Sequence, residues 1–134
     1  MLSPEKLWAS FANLGVDLAV GVPDSLIKNF CNYLEDNLEK RKHIITSNEG
    51  SAIAIATGHY LANNKPALVY LQNSGLGNII NPIISLTDKT VYSIPMILVI
   101  GWRGEPGEID EPQHIKQGSI TTILLEILGI NYKI

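Results

Sequence analysis

The sequence predicts an α/β protein, three layers deep (α/β/α), with helices on both faces of a mostly parallel central sheet. Three observations lead there. Short runs rich in aliphatic and β-branched residues alternate along the whole chain with segments of helical length and pattern. Two of those runs, Ala67-Leu68-Val69-Tyr70-Leu71 and Pro95 to Ile100, are continuously apolar, as strands buried on both faces are. Between runs and helical segments stand clusters of Gly, Pro, Asn and Asp, the residues that turns require.

Ser3-Pro4-Glu5-Lys6 is a helix start, a capping serine followed by proline at the first helical position. Leu7, Phe11 and Leu14 continue it at helical spacing, and Gly15 ends it. Val16 to Gly21 reads as a strand. Pro23-Asp24-Ser25 turns the chain into a second helix with Leu26, Ile27, Phe30, Tyr33, Leu34 and Leu38 as its apolar stripe. Cys31 shares that face and reads as a small core residue. Glu39-Lys40-Arg41-Lys42 is a solvated loop before a strand at His43 to Thr46. Gly50 to Ala62 is a third helix, small or apolar all round and therefore expected to be buried, ending at Asn63-Asn64. After the strand at Ala67 to Leu71, Gly75-Leu76-Gly77-Asn78 leads into a helix running to Thr87. Gly101 to Pro112, rich in Gly, Pro and acid, is a loop of the kind that carries function. Gly118 to Leu128 is the last helix, and Ile130 to Ile134 starts or completes a final strand. No internal repeat is visible.

At 134 residues the chain predicts one domain, and 46% hydrophobic residues suffice for a sizeable core. Only 17% are charged, a low share that points to a surface partly covered by a partner. The net charge is −3 with no basic stripe, which argues against nucleic acid as a partner. The longest apolar run, within Ile94 to Ile100, is too short to span a bilayer. No signal-peptide core is visible at the N-terminus, and a single cysteine allows no internal disulfide. A reducing, cytoplasmic setting follows as the expectation.

If the strands are parallel, every strand-to-helix turn lies on one sheet edge, where open α/β sheets bind ligands. Four turns converge there: Pro23-Asp24-Ser25, Asn48-Glu49-Gly50, Gln72 to Asn78, and Gly101-Trp102-Arg103-Gly104. Glu49 stands out, a carboxylate between a strand and an apolar helix. It either favours the helix dipole or serves proton transfer, since a dry seat disfavours the charged form and raises a carboxyl pKa toward neutrality. Gly75-x-Gly77-Asn78 has neither the lysine of a phosphate loop nor the third glycine of a dinucleotide fingerprint. It reads as a tight turn capped by Asn78, or as a turn kept small so that a flat ring can approach the backbone. Arg103 can receive an anion through paired hydrogen bonds or form a salt bridge to Glu105 or Glu108. His114, in a loop beside acids, is either a proton shuttle or a surface residue; His43 and His59 read as structural or surface residues. No His, Cys or Asp cluster has metal-ligand spacing, and no nucleophile elbow is present.

Together, Gly21-Val22-Pro23-Asp24-Ser25, Asn48-Glu49-Gly50-Ser51-Ala52, Gln72-Asn73-Ser74-Gly75-Leu76-Gly77-Asn78, Gly101-Trp102-Arg103-Gly104-Glu105-Pro106-Gly107 and Asp110-Glu111-Pro112-Gln113-His114 resemble the thiamine-diphosphate-dependent decarboxylases. The resemblance is to those that act on phosphonopyruvate and, less closely, to the α subunit of those that act on sulfopyruvate. It covers nearly the whole chain but only the pyrimidine-binding (PYR) domain of the family's thiamine-diphosphate-binding fold. The family's Gly-Asp-Gly motif, which holds Mg²⁺ and the diphosphate in a second domain, is missing from this sequence. The resemblance therefore implies the N-terminal piece of a longer enzyme or a separate subunit, with the diphosphate-binding domain as its partner and a homo-oligomer as the assembly.

It also implies site residues. The glutamate matching Glu49 hydrogen-bonds a ring nitrogen of the aminopyrimidine and favours the tautomer that activates the thiazolium carbon for attack on the 2-oxo acid. Asp24 and His114 match residues that serve proton transfers. Asn73, Ser74, Gly75 and Leu76 match the loop beside the ring. Gln113 stands where some relatives carry histidine; it is assigned with Ser25 and Arg103 to the substrate, Arg103 for the phosphonate on chemical grounds alone. Three functions follow as alternatives: decarboxylation of 3-phosphonopyruvate to phosphonoacetaldehyde, decarboxylation of sulfopyruvate, or a ligand-binding module without catalysis.

Overall fold

The computed structural model describes residues 3–134. Four strands form its centre: β1 (Ala19–Gly21), β2 (His43–Ile45), β3 (Ala67–Gln72) and β4 (Met96–Gly101). They lie in the order β2-β1-β3-β4, and every pairing is parallel. Ala19 stands opposite both His43 and Leu68, and Ala67 opposite Met96. The helices are α1 (Pro4–Asn13), α2 (Lys28–Asn37), α3 (Glu49–Asn63), α4 (Leu76–Pro82) and α5 (Pro112–Ile127).

Local chemistry sets the helix ends. Ser3 Oγ accepts from Lys6 N at 3.2 Å with Pro4 at the first helical position, and Asn48 Oδ1 accepts from Ser51 N at 2.9 Å. Asn64 closes α3 in the left-handed region at φ 54°. After Pro82, which has no N–H to donate, the helix widens into a π turn at Ile83–Thr87, with Asp88 N bonding Ile83 O.

Strand alternation feeds two cores. Val20, Val69 and Leu71 pack with Ala52, Ile53, Ile79 and Leu125 of the α3/α4/α5 layer. Ala19, Leu68 and Tyr70 pack with Phe30, Cys31 and Leu34 of α2, and Leu7 and Phe11 of α1 press on the same layer. The expected three-layer parallel architecture is the observed one. Cys31 is a buried core residue, and burial raises its thiol pKa. Among the described residues no helix is long and apolar enough to cross a membrane.

Several boundaries differ from expectation. The strand expected at Val16 to Gly21 is regular only over Ala19–Gly21, and the second helix begins at Lys28, after the Pro23–Ile27 segment. α3 is covered on one side only: Ala54 and Gly58 are exposed and Leu61 is 64% exposed, so it is not buried all round. Ile130 to Ile134 forms no strand. α5 begins at Pro112, six residues before the expected start, with Glu111 at its N-cap. Gly118 was the misleading signal. It lies inside the helix because a Cβ there would run into the backbone of Gly104.

Candidate active site

The chain reverses direction across the sheet between β1 and β3, and the carboxyl ends of these neighbouring strands mark the place where such sheets bind ligands. Glu49, the first residue of α3, enters it from β2; the Arg103 loop enters from β4.

Glu49 is buried, at 9% exposure. Its Oε2 accepts from Asn78 Nδ2 at 2.7 Å. Its side chain lies over Gly75, where a Cβ would stand 2.5 Å from both Cδ and Cγ of Glu49. The missing side chain at Gly75 thus makes room for the carboxyl itself. Asn78 is not the cap of its turn: α4 begins at Leu76 without a side-chain cap, and Asn78 lies within that helix. Oε1 makes no hydrogen bond to the described residues.

Asn73 opens a 3-10 turn, Asn73–Gly75, and is fully buried. Its Nδ2 donates to Arg103 O at 2.8 Å and Thr121 Oγ1 at 2.9 Å, while its Oδ1 accepts from Arg103 N at 3.1 Å. Gln117 Nε2 donates to Asn73 O at 3.0 Å. Asn73 therefore braces the ends of β3 and β4 against α5, with its side-chain amide wholly engaged inside the protein. Ser74 is exposed and accepts from Gln72 Nε2 at 2.8 Å. Leu76 faces the core beneath the turn.

Asp24 is 6% exposed. Its Oδ2 accepts from Leu26 N at 3.1 Å and fills the space a Cβ on Gly101 would occupy; its Oδ1 is buried without a partner among the described residues. Arg103 Nη1 donates to the exposed Ser25 Oγ at 3.1 Å, and Nε donates to Asp110 Oδ2 at 2.8 Å, with Nη2 donating to Oδ1. The salt bridge is thus to Asp110, not to Glu105 or Glu108. A turn in which Glu108 N bonds Glu105 O brings Asp110 back over Arg103. The Arg103 hydrogen bonds hold the Asp110 carboxyl far below the usual carboxylate range, and the same contact raises Arg103.

His114 lies in the first turn of α5, not in a loop, and its carbonyl lies against Gly104, which has φ +67°. Gln113 beside it is exposed. His43 lies in the interior, its Nε2 2.8 Å from Tyr70 Oη and its Nδ1 3.0 Å from Glu35; His59 Nε2 lies 2.9 Å from Asp17. Neither approaches the strand ends named above.

Two groups result, Glu49 with Gly75 and Asn78, and Asp24 with Ser25, Gly101, Arg103 and Asp110. The Asn73–Gly75 turn joins them. Sequence reasoning gave Asn78 and Asp110 no such roles. The signal for Asp110 was the acid-rich loop beside Arg103, in which the wrong acids were paired. A groove of about 670 Å³ lies elsewhere, along the outer side of β4 and the C-terminal residues.

Residues 5–123 match the family model described as thiamine pyrophosphate enzyme, N-terminal TPP binding domain. The chain is 36% identical over all 134 residues to a phosphonopyruvate decarboxylase of Streptomyces viridochromogenes, of which it covers 33%. It is 39% identical over 132 residues to the sulfopyruvate decarboxylase subunit alpha of Methanococcus maripaludis, covering 98% of this chain and 76% of that subunit. It thus spans about a third of the length of the phosphonopyruvate decarboxylases it matches. A solved chain from Mycobacterium smegmatis, described as a thiamin diphosphate-dependent enzyme, superimposes with TM-score 0.59 at 27% identity over 77% of this chain and 19% of its own. With this match over most of its length, the chain belongs to the family of thiamine pyrophosphate enzyme N-terminal domains.

Proposed function

We propose that this chain is the pyrimidine-binding half of a thiamine-diphosphate-dependent decarboxylase acting on 3-phosphonopyruvate. In that reaction the C1–C2 bond breaks, CO₂ leaves, and a proton takes its place, giving phosphonoacetaldehyde. The observation that carries the reading is the Glu49 carboxyl, buried at the strand ends, with Oε2 held by Asn78 and Oε1 without a hydrogen bond among the described residues. Such a group fits an aminopyrimidine, whose ring nitrogen it would hold through Oε1.

Thiamine diphosphate, when bound, supplies the nucleophilic carbon and the electron sink. The protein's part is orientation and proton control. Asn78 fixes the Glu49 carboxyl, Gly75 leaves space for it, and the apolar base of α3 keeps water away. The turn of Asn73, Ser74 and Gly75 forms the wall beside the ring, with Ser74 at its exposed face and Asn73 and Leu76 supporting it from within. Asp24, whose Oδ1 has no partner among the described residues, and His114 serve the later proton transfers. Ser25, Arg103 and Gln113 receive the substrate's anionic end. Mg²⁺ and the diphosphate belong to a partner domain, in the same polypeptide or in a second subunit, within a homo-oligomer of the cytoplasm.

Sulfopyruvate is the second reading of the substrate, favoured by the match to α subunits over three quarters of their length. One assay decides. The chain is combined with its diphosphate-binding partner domain, thiamine diphosphate and Mg²⁺, and CO₂ release is measured from each substrate. Release from phosphonopyruvate is expected, and Glu49→Gln should lower kcat by about 10² to 10⁴. Release from neither substrate would leave a non-catalytic module.

A further inference from the structure

Asp110 has no assigned role, yet it is the most heavily bonded side chain at the strand ends. Oδ1 accepts from Arg103 Nη2 and from Glu111 N at 2.7 Å; Oδ2 accepts from Arg103 Nε at 2.8 Å and Gly104 N at 2.7 Å. With two donors on each oxygen, the carboxylate has no acceptor site left for a ligand. Its two backbone bonds anchor it to the loop; its two side-chain bonds fix the plane of the guanidinium.

The consequence falls on Arg103. Asp110 takes Nε–H and one Nη2–H, and Ser25 Oγ takes one Nη1–H. One hydrogen on Nη1 and one on Nη2 remain unassigned. Ser25 accepts from Arg103, so its own hydroxyl hydrogen is still available to donate. The pair is only partly covered, at 21% exposure for the Arg103 side chain and 13% for Asp110. Without Asp110 the guanidinium would sample many orientations, and a bound anion would bear the cost of ordering it.

We propose that Asp110 is a positioning residue that holds Arg103 and Ser25 ready for the tetrahedral anionic group of a 2-oxo acid, and so sets the preference for such substrates. This rests on the decarboxylase reading above. It adds that Asp110 acts only through Arg103 and touches no substrate.

The test uses the holoenzyme in wild-type form and as Asp110→Asn, Asp110→Ala, Arg103→Ala and the Asp110→Asn/Arg103→Ala double variant. Phosphonoacetate affinity is measured by calorimetry with acetate as control, alongside KM and kcat for phosphonopyruvate and sulfopyruvate. Asp110→Ala removes the anchors of the Gly104 backbone; Asp110→Asn keeps its volume and an acceptor, so the test survives if the alanine variant does not fold. The expected result is a phosphonoacetate Kd raised about tenfold to a hundredfold in each single variant. KM should rise more than kcat falls, and acetate binding should not change. The double variant should be no weaker than Arg103→Ala alone. Additive losses, equal losses for acetate and phosphonoacetate, or a wild-type protein that does not prefer phosphonoacetate would overturn the proposal. Absence of CO₂ release from wild type would sink the decarboxylase reading instead, while the phosphonoacetate titration would still report on Asp110.

Discussion

The backbone of Gly75 lies against the carboxyl of Glu49, so closely that a methyl group at position 75 would stand 2.5 Å from Cδ and Cγ. Gly75 belongs to the turn after β3, and Glu49 is the first residue of α3. The seat of the Glu49 carboxyl and the turn after β3 are therefore shaped by one contact. Gly75→Ala should push Glu49 out of its seat. CO₂ release should fall by about 10² to 10⁴, as for loss of a general acid–base. Overpacking costs about 1–3 kcal/mol, so the thermal midpoint should fall as well. A Gly75→Ala enzyme with wild-type kcat would mean that the carboxyl works from elsewhere.

Among the described residues, Asn78 is the one side chain that hydrogen-bonds the Glu49 carboxyl. A hydrogen bond to a charged group is worth about 1.5–3 kcal/mol, so Asn78→Ala should lower kcat/KM roughly tenfold or more. Asn78 is itself exposed, so the unfolding midpoint in urea should move little. Equal kcat/KM in wild type and variant would show that the α3 N-terminus and Gly75 suffice to hold the carboxyl.

These two relationships mark what was legible in the sequence. Strands and helices were, because their apolar periodicity is local. Glu49 was, because its position between a strand and an apolar helix is itself the signal. The contacts that orient it were not: Asn78 reads as a turn cap until the fold brings it to a residue far away in the chain. The start of α5 was hidden for the same reason. Gly118 looks like a helix boundary, and only the packing of Gly104 against it explains a glycine in mid-helix. Asp110 was invisible as the partner of Arg103 because the turn at Glu105–Glu108, not sequence distance, decides which acid returns to the arginine.

Gly118 offers a test of that packing. A Cβ on it would collide with the carbonyl of Gly104, and neither backbone can yield as a flexible side chain would. Trp102 Nε1 donates to Gly118 O at 3.0 Å from the same loop, and Asn73 joins both partners through Arg103 and Thr121. Gly118→Ala should therefore destabilise by about 1–3 kcal/mol despite alanine's higher helix propensity. Chemical denaturation checks it; an unchanged or raised midpoint would show that α5 is free to shift away from the loop.

At the other end of the strands, Asp17 joins Lys65 Nζ at 2.9 Å and His59 Nε2 at 2.9 Å, tying the start of β1 to α3 and to the approach to β3. Burial alone would raise the Asp17 carboxyl, but the hydrogen bonds from Lys65 and His59 outweigh it and leave its pKa below the ordinary value. A carboxyl with a lower pKa in the folded than in the unfolded state stabilises the fold above its unfolded value, near pH 4. That contribution is lost as pH falls through the folded value. Asp17→Asn should thus be less stable than wild type at pH 6, by about 0.2–1 kcal/mol for so exposed a pair. The gap should close below about pH 4, where wild-type Asp17 takes up its proton. Urea unfolding of both proteins at pH 6, 4 and 3 measures it, and a gap that stays constant across that range would remove Asp17 from the acid-sensitive part of the fold.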